Sequence, residues 1–147
     1  MNDTEKSSDV RVLSSVFSGA SAGTDSIENI LPKVESARLR TDLEAQVKEY
    51  SAISAEAAKR LVALGTEPES TPALKKVGMK LGTEINTLFS DSSSHIAELM
   101  IQSCGADITA VTKALNSFPP RDGASFDLAQ RLIDAEHGSI ERLKTYL

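Results

Sequence analysis

Near the C-terminus, Ala129, Leu132, Glu136, Ile140, Leu143 and Leu147 follow one another in steps of three and four. A helix from Phe126 to Tyr146 therefore carries all of these positions on one face, Leu147 following one step on. Such a stripe has to be covered by other elements, and it has a carboxylate at its centre. A buried Glu136 costs several kcal/mol (roughly 2–7 for an unbonded polar group) unless something donates to it or neutralises it. Asp134 and His137, three residues apart, can point at the same spot one turn from each other.

The covering elements are also helices. The first repeats Leu13, Phe17, Ala20, Thr24, Ile27 and Leu31, backed by Val10, Val16, Ile30 and Val34, and Pro32 ends or kinks it. Gly19 and Gly23 weaken this helix, which points to close approach of a neighbour. The second runs from Ala37 to Leu64 on Leu39, Leu43, Gln46, Tyr50, Ile53, Ala57 and Leu61, with Gly65 as a left-handed cap. Two of its inner positions, Gln46 and Tyr50, are polar. Residues 1–8 read as a disordered lead-in, and 9–147 as one domain.

Between Pro72 and Ser117 there is no proline. One continuous helix over that span would be far longer than its neighbours at about 1.5 Å per residue, so a break is expected. Ser90 to Ser94, with Asp91 able to cap, is the place for it. The reading is a crossover helix from Pro72 to Phe89 and a third bundle helix from Asp91 to Asn116, on Ile96, Leu99, Ser103, Ala106, Ala110 and Leu115, with one continuous helix as the open alternative. Pro119, Pro120, Asp122 and Gly123 turn the chain into the last helix.

The composition agrees. Of 147 residues 40% are apolar but only 4% aromatic, and there is no Trp, which suits aliphatic helix packing better than a sheet. The net charge of −5, with dispersed basic residues, argues against nucleic acid as a partner. No apolar run approaches the ~20 residues of a membrane span, and a cytoplasmic location is expected. Cys104 is single and reads as a small buried filler, while Asp107, Lys75, Lys76, Lys80 and Lys113 read as solvated faces.

Two segments, Glu49-Tyr50-Ser51-Ala52-Ile53 and Glu136-His137-Gly138-Ser139-Ile140, hint at two related helix hairpins joined by a long crossover. With the Leu64 to Glu69 segment (LGTEPE) that opens the crossover and the closing stretch from Ala135 to Leu143, the chain resembles ferritin-like families of unknown function related to rubrerythrin. The resemblance implies an all-α, up-down four-helix bundle with a long crossover carrying a short extra helix between helices 2 and 3. It also implies a carboxylate-rich di-metal site of iron or manganese, with a role in iron handling or peroxide defence. The candidate ligands are Glu28, Glu49, Glu98, Asp134, Glu136 and His137, with His95 as an extra. The set departs from the family pattern on the second helix, where Val47 and Tyr50 stand in the Glu-x-x-His positions. With the divergent iron or manganese protein as the alternative, the leading expectation is therefore a bundle that has lost a complete metal centre, forms a homodimer, for instance through Met79 or Phe89, and acts by binding. In that case Glu136 is satisfied by Tyr50, Gln46 or His137.

Overall fold

The computed structural model describes residues 3–69 and 92–147, with side chains from residue 8 onward. Four long helices account for most of them: α1 (Asp3–Ile30), α2 (Ala37–Ala63), α3 (Ser93–Ser117) and α4 (Gly123–Lys144). Among the described residues there is no strand, and no helix is long and apolar enough to cross a membrane.

Each boundary has a local cause. Pro32 lies in a single 3-10 turn, Leu31–Lys33, that ends α1. Ser36 then caps α2, its hydroxyl accepting from the Leu39 amide at 3.2 Å. Gly65 closes α2 with φ of 77°, a conformation that favours glycine. Asp122 caps α4 by accepting from the Ala124 amide at 2.9 Å. Ser92, with non-helical backbone (ψ of 123°), caps α3. The helix therefore starts at Ser93, and a continuous helix through residue 92 is ruled out.

Cross-helix contacts give the topology. Asp122 at the start of α4 donates its amide to Asp9 of α1 at 3.3 Å, and Arg11 lies over the Phe118 ring at 5.0 Å. At the opposite end Tyr146 donates to Asp42 at 2.6 Å, and Arg38 reaches Thr145 at 3.2 Å. Thus α1 and α4 run one way and α2 and α3 the other. The end of α2 and the start of α3 therefore lie at opposite ends of the bundle, about 40 Å apart along α2. The expected crossover helix, Pro72 to Phe89, and the apolar residues Met79 and Phe89 lie outside the described residues.

The core is aliphatic. Leu13, Val16, Ala20, Ile27 and Ile30 of α1 meet Leu39, Leu43, Ile53 and Leu61 of α2, Ile96, Met100 and Val111 of α3, and Leu128, Leu132 and Leu143 of α4. Three features differ from the sequence reading. The first helix begins at Asp3, within the stretch read as a lead-in. The stripe of α3 is rotated toward Met100, Cys104, Asp107 and Val111, leaving Ala106 and Ala110 half-buried. Asp107, read as solvated, is only 3% exposed.

Candidate functional site

The carboxylate at the centre of the α4 stripe lies at the centre of the bundle. Glu136 is fully buried. Tyr50 of α2 donates its hydroxyl to Glu136 Oε2 at 2.8 Å, and Gln46, one turn earlier, donates to the Tyr50 oxygen at 2.8 Å. Because the Tyr50 proton goes to Glu136, its oxygen is the acceptor from Gln46, which fixes the Gln46 amide with its nitrogen inward. The same nitrogen is 3.6 Å from Cys104 Sγ. Ser139 is 3.2 Å from the Tyr50 hydroxyl and donates to the Ala135 carbonyl at 3.0 Å.

Two groups of α3 complete the cluster: the Asp107 carboxyl and the Cys104 thiol, both buried, lie close enough to Glu136 to act on its ionisation. Glu136 Oε1 has no N–H, hydroxyl or thiol partner, so the donor left to it is a protonated neighbouring acid. Burial pushes the Asp107 carboxyl well above the usual carboxylate range, and the charge and hydrogen bond of Glu136 push the same way. Burial raises Glu136 too, but donation from Asp107, Cys104 and Tyr50 holds it back. Asp107 is therefore the acid that keeps its proton, and Glu136 collects the donors. Burial and the Glu136 charge also raise Tyr50 and Cys104, so both stay neutral.

The glycines of α1 make room for this cluster. A Cβ on Gly23 would lie 2.8 and 2.9 Å from the edge of the Tyr50 ring, so only glycine lets the ring lie there. A Cβ on Gly19 would be 3.4 Å from Leu132 and 3.6 Å from Asp107, at ordinary contact.

The expected ligands separate. Glu136 is in the core. Glu49 is half-buried and accepts from Arg131 at 2.9 Å. Asp134 is exposed and accepts from Gln130 at 2.9 Å. Glu98 is exposed beside the exposed His95 at 3.8 Å, and Glu28 and His137 are also exposed. The repeat-like segments do not take equivalent places either, since Glu49 faces a salt bridge where Glu136 faces the core. Among the described residues no three His, Cys, Asp or Glu side chains are placed to hold a metal ion, so the described residues do not assemble a di-metal centre. The sequence reading missed Asp107 and Cys104. Met100, Cys104, Asp107 and Val111 follow steps of four, three and four, so the test that singled out Glu136 finds Asp107 as well.

Beside the cluster, α2 and α4 part to leave an open groove of ≈ 580 Å³. Its floor is Gln46, Tyr50 and Ser139, and its α4 wall is lowered by Ala135 and Gly138. Glu49 with Arg131, together with Asp127 and Asp134, forms the rim.

Four helices running up, down, down and up, with the end of the second and the start of the third at opposite ends, define a ferritin-like four-helix bundle. The comparison with solved structures agrees: a mutant of Dps1 from Mycobacterium smegmatis superposes with a TM-score of 0.78, over 100% of this chain and 99% of that one, at 15% identity. No family model matches the sequence, and no curated protein matches it.

Proposed function

We propose that this chain is a binding protein on a ferritin-like bundle. A hydrogen-bonded cluster of its own side chains, Glu136 with Tyr50, Cys104 and Asp107, stands where a di-metal centre would be, and the groove between α2 and α4 is its contact site. The observation that carries this reading is the dispersal of the expected ligands: Glu28, Glu98, Asp134 and His137 are exposed, and Glu49 is held by Arg131. A dimeric state is part of the proposal, with the exposed apolar side chains Val62 and Phe126, at the same end of the bundle, as its candidate contacts. A strict monomer in sedimentation at micromolar concentration removes that part.

One observation favours a second reading, a divergent iron or manganese protein of iron handling or peroxide defence, akin to rubrerythrin-related families. Glu136 Oε1 is buried without a hydrogen-bond partner beside the Asp107 carboxyl and the Cys104 thiol, although the three side chains as they stand are not placed to share one ion. A cation in place of the shared proton would satisfy the same oxygens. Titration of the apo chain with ferrous iron or manganese under anaerobic conditions separates the two. The binding-protein reading expects no saturable heat. Saturable uptake that disappears in Glu136→Gln supports the metal reading instead.

A further inference from the structure

The groove has a chemical preference. Gln46 is 3% exposed and turns its amide nitrogen inward, to Tyr50 and Cys104, so its carbonyl oxygen is left without a donor among the described residues at the groove floor. Ser139 beside it already donates, to Ala135, and its oxygen acts as an acceptor, shared with the Arg142 guanidinium. The floor is thus a pair of acceptors. The chain's own guanidinium already samples it: Arg142 lies 3.4 Å from the Ser139 oxygen. On the rim the Arg131 charge is matched by Glu49. Asp127 and Asp134 have no ion-pair partner among the described residues, although Asp134 accepts from the neutral Gln130. These two carboxylates are seven residues apart on α4, two turns, about 10 Å along one edge of the groove.

We propose that the groove binds an elongated organic cation, a linear polyamine, with its terminal ammonium groups on Asp127 and Asp134 and its remaining N–H groups on the floor oxygens of Gln46 and Ser139. An ammonium group brings two or three donors and no acceptor, which matches a floor of acceptors and a rim of carboxylates. Ala135 and Gly138 leave the depth in which its methylene chain lies. The proposal rests on reading the groove as the contact site and adds the class of ligand.

The test is titration calorimetry of the full chain with spermidine, butylamine and sodium glutamate at low ionic strength. Spermidine is expected to saturate one site per chain and to bind about tenfold more tightly than butylamine. Asp127→Asn with Asp134→Asn is expected to weaken it about tenfold, since two exposed charge contacts are lost, and Gly138→Leu is expected to abolish it by filling the groove. Circular dichroism of both variants confirms that the bundle is intact. Equal spermidine binding by the double variant would trace it to the −5 net charge at large and overturn the proposal. So would absence of saturable binding. Glutamate binding that is lost in Gly138→Leu, without spermidine binding, overturns the polyamine while leaving the groove as the contact site.

Discussion

Replacing Gly23 by Ala tests the packing that positions the central tyrosine. In an exposed helix interior this substitution stabilises by about 1 kcal/mol, because glycine is the poorer helix former. Here the added methyl would stand 2.8 and 2.9 Å from two carbons of the Tyr50 ring, against about 3.5–4.0 Å for a relaxed contact. Either the ring or α1 has to move by roughly 1 Å, and overpacking of this kind costs about 1–3 kcal/mol. If the ring moves, its 2.8 Å hydrogen bond to Glu136 lengthens, which leaves a buried carboxylate short of a donor and adds about 1–3 kcal/mol. The net expectation is a loss of about 2–4 kcal/mol, or roughly 10 °C in melting temperature for a chain of this size. Urea unfolding followed by circular dichroism measures the loss, and calorimetry measures the shift. A Gly23→Ala protein as stable as the parent would refute both the close approach and the role given to the tyrosine ring.

Other consequences follow from the same contacts. Gly105→Ala in α3 meets nothing within 4 Å and is expected to raise stability by about 1 kcal/mol in the same urea assay. Asp122→Ala removes the α4 cap and is expected to cost about 1 kcal/mol, read as a lower urea midpoint with an unchanged slope. Because burial raises the Asp107 acid, the folded chain holds a proton that the unfolded chain releases near pH 4. Stability therefore falls as pH rises from there toward the raised value, by up to about 1.4 kcal/mol per pH unit. Asp107→Asn is expected to flatten that fall, and an unchanged pH profile in the variant would contradict the assignment of the proton.

The helices were legible because their inner faces repeat at three and four residues over many turns, and because Pro32, Gly65 and Asp122 mark ends by backbone chemistry. Tyr50 was legible as one of three candidate partners of Glu136, beside Gln46 and His137, since a polar residue on a buried stripe calls for a complement on a facing helix; the structure gives the bond to Tyr50 and leaves His137 exposed. The rotation of α3 was not. Its small residues, Ala106 and Ala110, offer a stripe as apolar as the true one, and only the facing helices decide between them. Asp107 was passed over because a charged side chain defaults to solvent unless its register is checked against Met100, Cys104 and Val111. The dispersal of Glu28, Glu49, Glu98, Asp134 and His137 depends on rotations of about 100° per residue and on the pairing of Glu49 with Arg131, which no spacing within one helix reveals.

The central claim is that the middle of the bundle is completed by its own side chains. The most direct measurement is elemental analysis of the full chain purified without chelators from cells grown with iron and manganese, with thermal unfolding before and after exhaustive chelation. The account predicts metal far below one ion per chain and an unchanged melting temperature. Near-stoichiometric iron or manganese, with a melting temperature that drops on its removal, would contradict it, because a ligand bound to the folded state alone stabilises that state.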